Sequence, residues 1–239
     1  MIGLGTLINT LAILSGGICG ALFGKLLSES AQDTLTKVCG VSTLFIAITG
    51  ALEEMLTVEN GDIVSGGSML VILCLAIGAV IGEWLDIEGG FERFGQWLKI
   101  KSGNAKDKEF VNAFVTASLT VCIGAMAIVG SIQDGILGDY SILATKAVLD
   151  LIIITVMSCS MGRGAVFSAI PVAVFQGSIT VLAGFLRPVM TEAALANLSL
   201  VGNVLIFCVG INLVWGKRIK VANLLPAIAV AVAAAFLPF

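Results

Sequence analysis

Long apolar runs, separated by short polar breaks, recur along the whole chain. A helix needs about 20 apolar residues to cross a hydrocarbon core of about 30 Å. The pattern therefore predicts an all-α integral membrane protein with eight spanning helices. They are expected near residues 4–27, 38–56, 67–85, 110–129, 142–161, 165–186, 198–215 and 221–239. Only the segment SMGRG separates the fifth span from the sixth, and the alternative there is one broken element.

The distribution of Lys and Arg supports this count, because loops on the cytoplasmic side of a membrane are enriched in them. Apart from Lys146, eleven of these residues fall in the first, third, fifth and seventh loops, and one, Arg187, falls in the sixth. We therefore expect a multi-pass protein of the bacterial cytoplasmic (inner) membrane with both termini outside.

Composition agrees with a membrane protein and narrows the chemistry. The chain is 58% hydrophobic and 12% charged, with a mean hydropathy of +1.06, which excludes a soluble domain of this length. It has no histidine, and its six cysteines contain no CxxC pair, so we expect no metal site, no cofactor and no enzymatic activity. The expected partners are membrane lipids and a small-molecule or ion substrate, without nucleic acid; a homo-oligomer is left open.

Charged residues within the apolar runs are concentrated in residues 129–150, around Asp134, Asp139, Lys146 and Asp150. If a helix begins near Asp139, spacings of seven and four residues place Asp139, Lys146 and Asp150 on one face. A charge at membrane depth costs several kcal/mol unless it meets a partner or water, so such a residue is a functional-site hypothesis. The alternative is a neutralised pair, Lys146 with Asp150, that only holds two helices together.

Uncharged polar residues extend this hypothesis to a second segment. The motif GSI occurs at 130–132 and at 177–179, each time beside a glutamine. Ser and Gln at a helix interruption offer donors and acceptors that can replace the hydration shell of a solute. The predicted substrate or ion site consists of Ser131, Gln133, Asp134, Asp139, Lys146, Asp150, Gln176 and Ser178.

An internal repeat indicates the architecture. A shift of 160 residues aligns residues 17–52 with 177–212 and matches eight positions, among them Gly17 with Gly177 and Gly50 with Gly210. The shift pairs the first span with the sixth, an odd displacement, so the two copies would cross the membrane in opposite directions, as in many secondary transporters. We expect one domain, residues 1–239, comprising repeats at about 4–85 and 165–239, an interfacial connector at about 86–109 and a central hairpin at about 110–161.

The run CIGAMAIVGSIQDGILGDYSILATKAVLD, followed by SMGRGAVFSAIPVAVFQGSITVLA, resembles the bacterial inner-membrane proteins grouped as domain of unknown function 554. The resemblance covers nearly the whole chain, including INTLAILSGGICGALFGKLL near the start. It implies a polytopic membrane protein for which transport is the expected activity, and it carries no substrate.

Three kinds of function remain open at this point. The first is a secondary transporter or channel for a small solute, with cations or zwitterions favoured because the predicted outer loops are acidic. The second is an intramembrane aspartyl hydrolase, which is disfavoured because GILGD is not the GxGD pattern of such enzymes. The third is an assembly or sensor protein in which the buried charges only lock helices together.

Overall fold

The computed structural model describes residues 2–59 and 62–237. Within this part the α-helices are α1 (Leu4–Phe23), α2 (Glu29–Met55), α3 (Ser68–Leu85), α4 (Ile87–Lys101), α5 (Phe110–Cys122), α6 (Ala125–Leu137), α7 (Ser141–Met161), α8 (Ala169–Leu186), α9 (Glu192–Trp215) and α10 (Pro226–Ala234). Short 3-10 helices at Gly24–Leu26, Arg163–Ser168 and Val221–Leu224 adjoin α1, α8 and α10. A two-stranded antiparallel hairpin, β1 (Leu56–Glu59) and β2 (Asp62–Ser65), joins α2 to α3 and pairs Leu56 with Ser65.

The membrane-spanning character of the chain is clear from the helices themselves. Six are long and apolar enough to cross a membrane, and α5 with α6 makes a seventh if that bent pair is one span. The apolar segment Val221–Ala234 is shorter. Large apolar side chains on these helices, such as Phe45, Val80 and Phe185, are exposed on the molecular surface, as expected where lipid is the solvent.

Helices α1 and α7 pack closely through their backbones and run parallel. Gly16 and Gly20 of α1, and Gly24 directly after it, follow one another at intervals of one turn. They lie opposite the backbone of Leu151, Thr155 and Cys159 in α7. A Cβ atom added at Gly16 would lie 2.5 Å from the Leu151 carbonyl oxygen, which leaves no room for a side chain. The repeated small residue allows the two backbones to approach closely, the usual basis of helix association in lipid.

Three other helix pairs pack antiparallel. Gly40 of α2 contacts Leu213 and Val214 of α9, whereas Gly50 of α2 contacts Asn203 of α9. Residue numbers rise along α2 as they fall along α9, so the two helices are antiparallel. In the same way, α3 packs on α10 and on the 3-10 helix before it. Helix α1 crosses α8 with Thr6 near Thr180 and Asn9 near Gln176.

The fourth predicted span, residues 110–129, is wrong as a continuous helix. Helix α5 ends at Cys122, and α6 leaves it at an angle of 61° after a break at Ile123 and Gly124. Gly124 has a φ of 144°, a conformation that L side chains rarely adopt. Six of the other predicted spans correspond to long apolar helices, but α2 and α9 begin earlier than expected because Ser28 and Thr191 cap their first turns. The eighth, predicted at 221–239, corresponds to the shorter segment Val221–Ala234, and residues 238–239 lie outside the described residues.

Residues 87–101 of the predicted connector form α4. Leu98 is buried and Phe94 packs edge-on against Phe114 of α5, while Trp97 and Ile100 remain exposed. Arg93 of α4 pairs with Asp86 and lowers the pKa of that carboxyl. The helix is thus anchored to the bundle on one side and presents aromatic and basic groups on the other, an arrangement typical of helices that lie at a membrane surface.

The close contact between α1 and α7 makes a specific prediction about stability. Gly20→Ala places a methyl group against the backbone of α7 and should lower the free energy of unfolding by about 1–3 kcal/mol. Gly184→Ala in α8 is the matched control, since a Cβ atom there meets no atom within 4 Å. Thermal unfolding of both variants in detergent tests this, and equal stability of the two would contradict the described packing.

Candidate functional site

A buried ion pair lies at the centre of the molecule. Lys146 Nζ of α7 donates to both carboxylate oxygens of Asp150, at 2.7 and 2.6 Å, one turn further along the same helix. The two residues are only 7% and 3% exposed. A buried pair of this kind must have its remaining hydrogen-bonding positions satisfied, because removal from water costs several kcal/mol for each ion.

Asn9 connects this pair to two further helices. Its Nδ2 atom, on α1, donates to Asp150 Oδ2 at 3.0 Å and to Gln176 Oε1 of α8 at 3.2 Å. An ionised carboxylate only accepts hydrogen bonds, so the orientation of the Asn9 amide is determined by Asp150. Asn9 Oδ1 and Gln176 Nε2 are then buried without a hydrogen-bond partner among the described residues.

A second buried carboxylate lies at the beginning of α1. Asp134 of α6 is fully buried, and its Oδ2 atom accepts a hydrogen bond of 3.1 Å from the backbone N–H of Gly5. The first N–H groups of a helix have no partner within it and carry partial positive charge, which favours a carboxylate at this position. Asp134 Oδ1 and Ser131 Oγ, one turn earlier on α6, have no partner within residues 2–59 and 62–237.

A cavity of about 610 Å³ reaches the ion pair from the end of the molecule that carries the β hairpin. Lys146 and Asp150 line it, together with Gly124 and Ala127 at the break before α6. Its other polar lining residues are Thr43, Thr49, Glu53, Thr120, Ser199 and Asn203. This space is here called the hairpin-side cavity, and its lining includes both the ion pair and Glu53, near the end of α2.

A second cavity, of about 470 Å³, lies at the opposite end, where α4 packs. This basic-side cavity is lined by Glu88, Glu92, Lys108, Glu109, Asn112 and Lys217. Glu88 is 5% exposed and bridges Lys217 Nζ at 2.8 Å and the backbone N–H of Ala222 at 3.0 Å. Partial burial works against the charge of Lys217, but hydrogen bonds with Glu88 and Glu92 outweigh it and raise the pKa of the ammonium.

The two cavities lie end to end along the same helices. On α5, Thr116 and Leu119 line the basic-side cavity and Thr120 lines the hairpin-side cavity. On α9, Val209 lines the basic-side cavity and Ile206 lines the hairpin-side cavity. An apolar layer that includes Leu119 and Val209, both almost fully buried, therefore lies between the two cavities.

The sequence-predicted residues divide into two groups. The structure brings Asp150, Lys146 and Gln176 into one network through Asn9, and it buries Ser131 and Asp134 one helix away. Three others lie apart. Asp139 precedes α7 and is exposed, because the helix begins at Ser141 rather than near Asp139. Gln133 is half-buried on α6. Ser178 is exposed and donates to the Phe175 carbonyl, so the two GSI motifs are not equivalent.

Asp139 has a local role at the beginning of α7. Its Oδ1 atom accepts hydrogen bonds from the Ser141 hydroxyl and backbone N–H, which lower the pKa of the carboxyl. It therefore stays ionised in a turn between two helices, at a distance from the network.

Sequence reasoning did not include three contributors to this site. Asn9 is an isolated polar residue in the first span, and only its contact with Asp150 distinguishes it from an ordinary buried amide. The backbone N–H of Gly5 gives no side-chain signal at all. Glu88 lies in a segment rich in charged residues, where its burial cannot be told from the pattern.

The fold and the site together define a polytopic helical membrane protein with a charged polar network in its interior. The chain belongs to the family of proteins of unknown function DUF554, whose model matches residues 4–236. It is 28% identical to the uncharacterized membrane protein YdfK of Bacillus subtilis over 94% of this chain and 92% of the relative. It is 27% identical to the uncharacterized protein YqgA of Escherichia coli, over 95% and 94% of the respective chains. No solved structure matches.

The buried pair makes a prediction that a double-mutant cycle can test. Lys146→Met or Asp150→Asn alone leaves one buried group without its partner and should destabilise the protein by about 3–5 kcal/mol. The double variant should recover most of this loss, because no uncompensated charge remains.

Lys37 and Asp33 provide the matched control for this cycle. They form the same i,i+4 pair at 2.6 Å on α2, but both side chains are more than half exposed. Lys37→Met should change stability by less than about 1 kcal/mol. Additive single effects at Lys146 and Asp150 in reversible unfolding titrations would show that the two residues do not depend on each other.

Proposed function

We propose that this protein is a secondary transporter of a small solute that crosses between the two cavities past the Lys146–Asp150 pair. The observation that supports this most strongly is the end-to-end arrangement of the cavities along α2, α5 and α9, with an apolar layer between them. An assembly protein has no need for two cavities on one axis. A carrier needs both, since each must open in turn toward its own side of the membrane.

The break between α5 and α6 supplies the structural element that could alternate. Discontinuous helices at the midplane line the substrate sites of many transporters, because their free backbone groups take part in binding. Here Ile123 and Gly124 line the hairpin-side cavity, and Thr120 precedes them on α5. A change of the bend at Gly124 would shift Leu119 and Thr120 relative to α9 and so move the apolar layer from one side of the solute to the other.

The charges of the pair indicate the class of solute. Asp150 and Lys146 present one negative and one positive group at the same cavity, and Glu53 adds negative charge along its lining. A zwitterion would place its ammonium at Asp150 and its carboxylate at Lys146 and thus replace the bidentate contact of the free protein. A simple cation would use Asp150 and Glu53 alone, so cationic and zwitterionic solutes are the proposed class.

We also propose that the chain crosses the membrane eight times as an inverted repeat, with α1–α3 related to α8–α10. Each helix packs antiparallel on its counterpart, which a two-fold axis in the membrane plane requires of neighbouring elements: α1 on α8, α2 on α9 and α3 on α10. The central hairpin also fits this relation. Helix α1 packs parallel to α7, and its counterpart α8 packs parallel to α6, with Gly135 against Thr180 and Ala183.

A ligand screen tests the proposed class directly. The thermal stability of the purified protein is measured with amino acids, monovalent and divalent metal cations and small organic anions, because a ligand of the folded state raises apparent stability. An amino acid or cation should raise the melting temperature of the wild-type protein, and Lys146→Met and Asp150→Asn should abolish the shift. The exposed-pair variant Lys37→Met should retain it.

Uptake of the same ligand by proteoliposomes then tests transport itself. The folded variants at Lys146 and Asp150 should lose uptake, whereas Lys37→Met should transport at the wild-type rate. Wild-type rates for the folded Lys146 and Asp150 variants would overturn the site assignment, and binding without uptake would favour a sensor.

The divided cavity makes a separate prediction about accessibility. In a background without native cysteines, Thr120→Cys should react with an impermeant thiol reagent added outside, and Thr116→Cys with reagent added inside. These positions lie one turn apart on α5 but line different cavities. Reaction of both from the same side would rule out the proposed division of the path.

A further inference from the structure

Four buried polar atoms without partners share one region of the interior. They are Asn9 Oδ1, Ser131 Oγ, Asp134 Oδ1 and Gln176 Nε2, on three helices, and none has a hydrogen-bond partner in the described part of the chain. Such atoms are uncommon in folded proteins, and each calls for a bound water or ion. Their concentration here points to a bound species rather than to four independent defects.

The helix geometry places most of these atoms at a common depth. Asp134 is held at the beginning of α1 by Gly5, and Asn9 lies four residues further along α1, about 6 Å toward the other end. Ser131 lies three residues before Asp134 on α6, which runs the opposite way, so it moves in the same direction by about 4.5 Å. Ser131 and Asn9 therefore lie at nearly the same level of the bundle.

The contact between α6 and α8 leads independently to the same level. These two helices run parallel, with Gly135 against Thr180. Four residues earlier on each helix are Ser131 and Gln176, and Gln176 already accepts a hydrogen bond from Asn9. Ser131, Asn9 and Gln176 thus lie at about the same level on three helices, one turn from the level of Asp134.

The charge of this region is unbalanced. The buried charged side chains described on α1, α6, α7 and α8 are Asp134, Asp150 and Lys146. Lys146 is bound to Asp150 through both oxygens, so it does not neutralise Asp134. The beginning of α1 supplies only about half a positive charge. One further unit of positive charge would balance the interior.

We propose that Asp134 Oδ1, Ser131 Oγ and Asn9 Oδ1 bind one sodium ion. Hard cations prefer oxygen ligands, and three oxygens of three different kinds are free at this place. The nitrogen of Gln176 can donate to a water on the ion. The binding site is inferred from this geometry alone, whereas the role of sodium as the coupling ion rests on the transport function proposed above. Asn9 then joins the two sites, since its Oδ1 holds the ion while its Nδ2 holds Asp150.

The test measures the melting temperature of the purified protein in sodium, lithium, potassium and choline chlorides at constant ionic strength. Sodium should raise it in a saturable manner, and potassium and choline should not. Asp134→Asn should abolish the sodium shift, and Ser131→Ala, which removes one ligand with little change of volume, should weaken the apparent sodium affinity roughly tenfold. Asp139→Asn, an exposed carboxylate five residues from Asp134, should respond as the wild type does.

Three results would overturn the proposal: equal melting temperatures of the wild-type protein in all four salts, a retained sodium shift in Asp134→Asn, or an unchanged affinity in Ser131→Ala. A melting temperature that follows pH but not sodium would assign the site to a proton instead and would likewise overturn it. If Asp134→Asn does not fold, the wild-type salt series and Ser131→Ala decide the question.

The same assay separates this proposal from the transport function. Lys146→Met, which leaves Asp150 in place to hold Asn9, should keep the sodium shift and lose the response to an amino acid or other solute. A solute response that is independent of sodium, in a protein that shows no sodium shift, would leave the transporter in place and remove the ion site.

Discussion

The desolvation of charge is the constraint on which the rest of this structure depends. Lys146 and Asp150 can remain ionised inside an apolar bundle only if each finds partners there. Lys146 and Asp150 satisfy most of this need through each other, but the carboxylate has capacity for a further donor, and Asn9 provides it. The amide of Gln176 then orients Asn9 from the other side. The pair therefore ties α1, α7 and α8 together in one arrangement.

This arrangement requires α1 to approach α7 very closely, and the glycines of α1 make that possible. Gly16 and Gly20, in the half of α1 that follows Asn9, and Gly24 directly after the helix lie against the α7 backbone. The same helix uses its first half for polar contacts, with Gly5 at Asp134, Thr6 at Thr180 and Asn9 at Asp150. Backbone packing thus positions α1, and the polar contacts at its beginning follow from that position.

Much of the fold could be predicted from the sequence because lipid imposes strong rules on composition and length. Apolar runs located most of the helices, and the charges near Lys146 led to the centre of the candidate site. The break at Gly124 was not predicted as a break, since an apolar run conceals an interrupted helix. Asp139 was assigned to the same helix face as Lys146 because the helix was assumed to begin near Asp139, two residues before its observed start at Ser141. The role of Gly5 was out of reach, because it depends on a backbone atom and a partner 129 residues away.

The break at Gly124 also bears on whether the hairpin-side cavity holds water. Where α5 ends, backbone carbonyls lose their helical partners, and in a hydrocarbon environment each of these would cost several kcal/mol. Irregular backbone at this depth is tolerated only where protein or water satisfies it. Ile123 and Gly124 line the cavity that also contains Lys146 and Asp150, so water that satisfies the break reaches the ion pair as well. A hydrated approach to a buried pair lowers the barrier for a solute to displace one partner from the other, because the separated charges are solvated during the exchange. In the proposed transporter the helix break and the ion pair would therefore act together, since water that satisfies the break would also solvate the pair while a solute separates it.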